Sequence, residues 1–564
     1  VALAAAAAAG AAEEGLVRIQ EAVDAAGWRR AARAPRDAEL ELVVALRNWN
    51  MDKLNDEVAA VSSPRSQRYG QHLRPAEVAD LTSAAPEAAL AVRSWLRAAG
   101  LEPRPSRWGD RVEVRATVAE AEKLFGTSVE MLEKAGSPPV YQAADLFAPA
   151  PVAEAVAAVF GLHGTPLQRL AAPFAGMLPP RTTPQLLRQV HEVSGVQVDH
   201  NGRNSRAVVE FHGQRTSRSD LAAFFDRYVP NTQPSDRNFS CRLGRCEAQG
   251  SEQTSAEASV ALEYLMGTAP GVKTEVWSFS STSWCTDLKN WTAHVLDRED
   301  PPLVFSVNYG AKGNISLDRS QGCSPEIVQN IEEDFVKIAS RGITLVFPSG
   351  DDGSGGAFGA KDKLWPEWPG SVPHATSVGA TEFEYRQQRA PVTFGSGGGF
   401  SWRSPRPSWQ HDAVEGYLWN PFARLPAQQD FNRHGRATPD LAALGTGYEA
   451  IAGGRPVVAG GTAAAAPFFA SLVSLLNEYR LQHGQSPLGF LNPLIYDMGM
   501  SGKGFMDIKK GENRLDRNAR HLREGYSCTK GWDAVTGWGA PRFQDMLEYV
   551  KSLPSGRRPE EIVV

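Results

Sequence analysis

The residues of this sequence whose type and spacing could support chemistry are few, and most are acids. Glu257 begins the run Glu257-Ala-Ser-Val-Ala-Leu-Glu-Tyr-Leu-Met266, which has helical spacing, so its side chain shares a face with residue 261 one turn on. Two side chains so placed could meet. Residue 261 is alanine. Asp351 lies in Ser349-Gly-Asp-Asp-Gly353, just past the apolar strand Ile343-Thr-Leu-Val-Phe347, and sites in open parallel sheets gather beyond such strand ends. Each acid also has a plain structural role open to it: Glu257 as a snorkelling or hydrogen-bonded helix residue, Asp351 as the side chain of an Asx turn. Other chemistries lack their parts. There is no Gly-x-Ser-x-Gly elbow, and His191-Glu192-Val-Ser-Gly195 has no second histidine with which to hold zinc.

The elements that must position these acids follow from periodicity. Residues 38–163 make an α+β unit: Glu39–Leu46 and Arg111–Ala116 alternate like half-buried strands, while 51–61, 75–82, 86–99 and 117–125 have helical spacing. An N-terminal extension, 1–37, precedes it. Its apolar run Val1–Ala9 falls far short of the ~20 residues that cross a bilayer, and reads either as the remnant of a secretory h-region or as the first turn of a helix. Residues 164–184 lose all period and end in Pro179-Pro-Arg-Thr-Thr-Pro184, a linker. In 185–550, Leu303-Val-Phe-Ser-Val is a buried strand, Ser324-Pro325 caps and opens a helix with the apolar face Ile327, Ile331, Phe335 and Ile338, and Gly342 stops it before the next strand. That βαβ unit predicts a parallel sheet covered on both faces. Residues 551–564 form a tail.

A net charge of -5 without a basic stripe excludes a nucleic-acid or anionic-lipid footprint, and no segment is expected to span a membrane. Cys241 and Cys246 could close a small loop, Cys285 and Cys323 flank an apparent insertion, and Cys528 is left over. Sequons at Asn238, Asn290 and Asn314 fall in the same region, which suits an oxidising, glycosylating compartment.

Seven segments taken together resemble the sedolisin family of serine-carboxyl peptidases, in order from about residue 27 to 550. They are Ser63-Pro-Arg-Ser-Gln-Arg-Tyr-Gly-Gln-His-Leu73, the Glu257 helix, Ser349-Gly-Asp351, Ser396-Gly-Gly-Gly-Phe-Ser401, Gly461-Thr-Ala-Ala-Ala-Ala-Pro467, Leu488-Gly-Phe-Leu-Asn-Pro493 and Gly531-Trp-Asp-Ala-Val-Thr-Gly-Trp-Gly539. The resemblance implies an α/β fold: a subtilisin-like parallel sheet with helices on both faces, preceded by an α+β, ferredoxin-like prodomain. It also implies a serine nucleophile whose proton passes to a glutamate, an aspartate that orients that glutamate, and a second aspartate on the oxyanion. Glu257 and Asp351 match the glutamate and the oxyanion aspartate. Ala261 stands at the orienting aspartate and Ala463 at the nucleophile, and Gly460, Ala465 and Ala466 replace further hydroxyl residues of the family's Ser-Gly-Thr-Ser-x-Ser pattern. A methyl group cannot attack a carbonyl. Ser471, in the same helix, is two turns from where a nucleophile must stand.

The family's calcium positions correspond to Asp507, Ile508, Thr529, Gly531 and Asp533, which offer two carboxylates and backbone carbonyls, the hard donors calcium prefers. The family's intervening cysteines are absent from Glu512–Arg523, so that loop is braced differently, and Asp507 and Asp533 could instead be solvated loop acids. The expectation is therefore a pseudopeptidase of the secretory pathway, extracellular, at the cell surface or in a lysosome-like lumen. It would persist as a structural or binding component with protein partners in a larger assembly, its groove still open to a peptide. The competing expectation is an active serine-type tripeptidyl- or endopeptidase of acidic compartments.

Overall fold

A computed structural model describes residues 15–23, 25, 27–166, 181–200, 202–248, 254–311, 323–355 and 363–557. The alanine run, Pro179 and Pro180, Asn314 and residues 558–564 lie outside them.

The first unit contains β1 (Leu16–Gln20), β2 (Arg29–Arg33), β3 (Glu39–Leu46), α1 (Met51–Ser62), α2 (Pro75–Thr82), α3 (Pro86–Ala98), β4 (Arg104–Pro105), β5 (Arg111–Thr117), α4 (Val118–Leu124), β6 (Val129–Glu133), β7 (Val140–Ala143), β8 (Leu146–Pro149), α5 (Ala150–Ala155) and β9 (Val156–Phe160). Its main sheet runs β4-β5-β3-β9, with antiparallel pairs throughout. Leu42 and Val44 of β3 face a core shared with α3, α4 and α5, whereas Val43 and Ala45 face the other way with Ala158 and Phe160 of β9. Every residue of β3 from Leu42 onward is therefore buried, because both faces of the sheet are covered.

The extension expected over 1–37 is corrected by this unit. β1 pairs with β8 and β2 with β6, so residues 16–33 belong to the α+β domain. β2 reads Arg-Arg-Ala-Ala-Arg and is almost wholly exposed at a sheet edge, where charge discourages further pairing and erases the apolar alternation that would have betrayed a strand.

The second unit contains α6 (Pro184–Val190), β10 (Ser205–Glu210), α7 (Arg218–Tyr228), β11 (Phe239–Leu243), α8 (Ala256–Thr268), β12 (Lys273–Ser278), α9 (Trp284–Asp297), β13 (Val304–Val307), α10 (Pro325–Ser340), β14 (Thr344–Pro348), β15 (Thr376–Glu384), β16 (Gln387–Arg389), β17 (Gly399–Pro405), α11 (His411–Leu418), β18 (Gly435–Thr438), β19 (Leu441–Leu444), β20 (Tyr448–Ala452), β21 (Arg455–Ala459), α12 (Thr462–Gln482), α13 (Asn492–Met500) and α14 (Phe543–Lys551). Its sheet has the order β11-β12-β10-β13-β14-β15, with β19 beside β15, all in parallel register; β16 pairs antiparallel at the margin. Val208, Val304 and Val346 point to the core that holds α8 and α12; Ala207, Val209, Phe305, Leu345 and Phe347 point to α9 and α10. This is the expected parallel sheet with helices on both faces. Among the described residues no helix is long and apolar enough to cross a membrane.

The prodomain sheet lies on the outer side of α9 and α10, so Val43, Ala45, Ala158 and Phe160 share one apolar cluster with Trp291, Ile331 and Phe335. The segment 63–73 docks beside them. Leu73 N–H donates to Ser340 O over 2.8 Å, and the His72 ring lies so close to Gly342 and Gly489 that a Cβ on either would collide with it. Tyr69 is buried against Arg480, and Gly70 abuts Gly556. The tail is packed rather than free as far as residue 557: Ser486 N–H donates to Ser555 O at 2.8 Å, and Arg480 to Pro554 O at 2.8 Å. Thr182, counted in the linker, is fully buried and bridges to β20, taking a bond from Glu449 N–H at 3.0 Å and donating to Gly447 O at 2.7 Å.

A buried ion network crosses the same interface. Arg111 of β5 grips both Asp110 and Asp297 of α9, and Lys337 of α10 lies 3.6 Å from Asp110. Burial by itself would raise the Asp110 carboxyl, but Lys337, Arg111, Lys289 and the Ser106 hydroxyl outweigh it and hold the group well below its ordinary value of 3.8. A carboxyl depressed on folding contributes stability that is full above the unfolded value and lost only as pH falls through the folded one, so the docked state should survive about pH 4. Asp110→Asn leaves two buried cations short of a partner and should cost about 3 kcal/mol. Calorimetry between neutral pH and about pH 4, with hydrogen exchange at β3 and α9, checks both points; a prodomain that loosens in the unaltered chain at about pH 4 contradicts the assignment.

Candidate functional site

The site lies where β10 and β14 end and where α8 and α12 begin. Ser255 caps α8, its hydroxyl accepting Ala258 N–H at 3.5 Å, and Glu257 stands half-buried in the first turn. Gln214, four residues past β10, ties that turn to the sheet: its amide donates to Glu257 Oε2 at 3.1 Å and its carbonyl accepts from the Ser255 hydroxyl. One turn along α8, Ala261 is 1% exposed, inside the apolar cluster that also holds Ala464, Ala465 and Ala466. The place where an orienting carboxyl would stand is buried in that apolar cluster.

Asp351 follows β14 and meets α12. The backbone N–H and hydroxyl of Thr462 donate to Asp351 Oδ1 over 2.8 and 3.0 Å, and the same hydroxyl accepts Gly350 N–H at 3.1 Å. Gly461 leads into the helix at φ +100°, and a Cβ there would come 2.8 Å from Asp351 Oδ2. The helix therefore needs glycine at this place for conformation and space alike. Burial raises the Asp351 carboxyl above its ordinary value, partly offset by the Thr462 bonds and the Arg517 charge, so it holds a proton more readily and can donate to an oxygen lodged beside it. Ala463 is the half-buried member of the first turn; Thr462 and Ala464–Ala466 are sealed. Asp351, Thr462 and Ala463 are thus brought together at the helix N-terminus. Ser471 is fully buried and donates to Phe468 O at 2.6 Å, away from the site.

Two groups here were not singled out from sequence. Glu210 ends β10 and is 1% exposed; Tyr309 donates to its Oε2 at 2.7 Å, while its Oε1 is buried without a hydrogen-bond partner. Burial pushes this carboxyl up to about 8; the Tyr309 bond opposes that, and the Glu257 charge adds to it. A glutamate closing the apolar run Ala207-Val-Val209 was the available signal. Gln214 had none, because its partner is 43 residues away.

The calcium-type positions gather around one turn. Gly531 N–H donates to Asp507 Oδ2 at 3.1 Å and Thr529 N–H to Asp533 Oδ2 at 3.0 Å. Asp533 is fully buried, so it is no solvated acid; its Oδ1 takes Val535 N–H, Thr536 N–H and the Thr536 hydroxyl. Asp507 Oδ1 is buried without a hydrogen-bond partner. Two carboxylates on one turn, one with an orphaned oxygen, fit a hard cation, although among the described residues no cluster of three acidic, histidine or cysteine ligands forms. The cysteine-free loop 512–523 is braced by Arg517, which grips Asp352 next to Asp351.

Cys241 pairs with Cys246 and Cys285 with Cys323, while Cys528 is free and buried. Asn238 is exposed. Asn290 is half-buried on α9 and lines an interdomain cavity of about 590 Å³ with Arg104, Tyr141 and His163. His191 is sealed, its Nδ1 bonded to Pro541 O at 2.8 Å.

Residues 26–165 match the Pro-kumamolisin activation domain. Over 545 residues the chain is 33% identical to tripeptidyl-peptidase 1 of Rattus norvegicus, covering 93% of each. The Homo sapiens protein of that name is 33% identical over 549 residues, again with 93% of each covered. Among solved structures, Pseudomonas sedolisin, a serine-carboxyl proteinase, aligns with 98% of its chain and 66% of this one at a TM-score of 0.51 and 20% identity, a likeness of fold.

Replacing Gly461 with alanine should place a methyl against Asp351 and strain φ, costing about 1 to 3 kcal/mol. A lowered melting temperature in Gly461→Ala, with no loss in the exposed helical Gly416→Ala control, is the expected result.

Proposed function

This chain belongs to the sedolisin family, on its tripeptidyl-peptidase 1-like branch, and from that premise we propose that it is a catalytically inactive member retained as a structural or binding subunit. The observation that carries the reading is Ala463, a methyl group at the open position of the α12 N-terminus, one residue from the Thr462 that Asp351 holds. In the family's chemistry the serine attacks, a glutamate takes its proton and an aspartate bonds the oxyanion. Glu257 and Asp351 remain to bind or orient a peptide carbonyl, but nothing at 463 forms the acyl bond. In subtilisin, removing the nucleophile alone lowers kcat by about 10⁶.

The prodomain is then a permanent part of the molecule, since first cleavage of the linker in such enzymes uses their own serine. The buried Arg111–Asp110–Lys337 network and the seating of His72 support retention. Two disulfides and the exposed sequon at Asn238 support a secreted or lumenal protein whose partners are other proteins of an assembly. Incubation of the full chain with a tripeptide amide between about pH 3 and pH 6 should give no turnover above blank and leave the chain intact. Turnover abolished by Glu257→Gln sinks the reading and restores an acidic peptidase.

Asp507 and Asp533, with the carbonyls of Ile508, Thr529 and Gly531, would hold calcium, which supplies positive charge to two enclosed carboxylates and braces the turn without entering the chemistry. A ligand bound only to the folded state adds about 2.7 kcal/mol at a hundredfold excess over Kd. Chelation should lower the melting temperature, and Asp533→Ala should remove that sensitivity; identical melting with and without chelator removes calcium from the account.

A further inference from the structure

The contact between the prodomain and the second unit is not closed along its whole length. On β3 the residues facing α9 alternate as Glu39, Glu41, Val43 and Ala45; the last two are sealed in one apolar cluster with Trp291, while the two glutamates are exposed. Where the strand turns from valine to glutamate the units part and leave a cavity of about 590 Å³. One water takes about 30 Å³ of liquid, whereas pockets for small organic ligands enclose about 300–1,000 Å³. The gap is therefore of ligand size. From α9 it is lined by Thr286, Asn290 and His294, which stand at four-residue intervals on one helix face. Thr286 is 7% exposed and its hydroxyl has no hydrogen-bond partner, a costly state for a polar group withdrawn from water. Tyr141 and Arg104 of the prodomain line the same cavity. Asn290 also opens the sequon Asn290-Trp-Thr292, whose last residue the fold hides: Thr292 is fully buried and donates to Asp334 Oδ2 at 2.6 Å. Modification of this sequon must precede the packing of α9 on α10, so the closing prodomain has to accommodate whatever Asn290 then carries.

We propose that Asn290 carries an N-linked glycan whose first N-acetylglucosamine residues fill this cavity and join the prodomain to the second unit. In the transfer, Asn290 Nδ2 displaces pyrophosphate from the anomeric carbon of a lipid-pyrophosphate-linked oligosaccharide. The N–C bond forms, the C–O bond to pyrophosphate breaks, and the amide gives up one proton. The seated sugar gives the Thr286 hydroxyl a partner, lays its apolar ring face along Tyr141 and offers its outer hydroxyls to Arg104. The glycan is thus covalent to α9 and non-covalently bound to the prodomain, a tie that the protein atoms alone do not make at this place. The assignment rests on the reading of the chain as a secretory-pathway protein, and the exposed sequon at Asn238 reports on that reading separately.

The test uses the full chain secreted from a eukaryotic cell line, with each sequon followed by peptide mass. Both Asn238 and Asn290 should be occupied. Digestion with a peptide N-glycosidase is then timed on native and on denatured protein. Release at Asn290 should be about tenfold or more slower in the native chain than in the denatured one, because it waits on opening of the interface, while release at Asn238 should differ little. A glycosylated Asn238 beside a bare Asn290 overturns the proposal and leaves the secretory reading standing; two bare sites overturn both. Equal native and denatured release at Asn290 overturns the seating in the cavity. Asn290→Gln removes the attachment and should speed hydrogen exchange in β3 about tenfold; a secreted variant with unchanged exchange there overturns the tie. If that variant is not secreted, the release rates of the unaltered chain decide.

Discussion

The tie between Asp351 and Thr462 is the contact on which the arrangement of the rest depends. β14 sits well inside the parallel sheet, and α12 is the long helix that crosses the sheet's inner face. A carboxylate at the end of the one accepts both donors of the first residue of the other, which fixes where the helix starts and how deep it lies. Gly461 is required by that closeness, and Gly397, whose N–H donates to Gly350 O at 2.7 Å, holds the outgoing loop from behind. The dipole at a helix N-terminus favours the negative charge, so the tie is also electrostatically matched.

Once α12 is placed, the character of its neighbours follows. Ala464, Ala465 and Ala466 face the core, and Ala261 of α8 faces the same cluster. Alanines here are mutually consistent. A carboxyl at 261 would need hydrogen-bonding company inside a largely apolar cluster. Polarity persists instead on the sheet side, in Glu210, Tyr309 and Gln214, where backbone ends are available.

Much of this was legible in the sequence where the determinants are local. The Ser324 cap, Pro325 and the apolar face of α10 occur within one helix, and the βαβ unit that follows from them is present with parallel register. Asp351 at the end of β14 was found because strand ends are readable from apolar runs. Contacts between distant segments were not readable. The Gln214 to Glu257 bond and the addition of Thr182 to β20 each join residues whose identities carry no trace of the partner. β2 was hidden for a different reason: an edge strand of arginines has composition without period.

Gly70 and Gly556, 486 positions apart by their numbers, meet back to back beside Ser486. During biosynthesis the α+β domain leaves the ribosome first and can form its own sheet and helices early, because those contacts lie within its own span. The socket around Tyr69 and Gly70, however, is built from Arg480, Ser486 and residues 554–556. It does not exist until residue 556 has been translated. Seating of Tyr69 and Gly70 therefore waits on residues 554–556, and a ribosome that stalls short of residue 556 holds a prodomain that is folded but not yet seated.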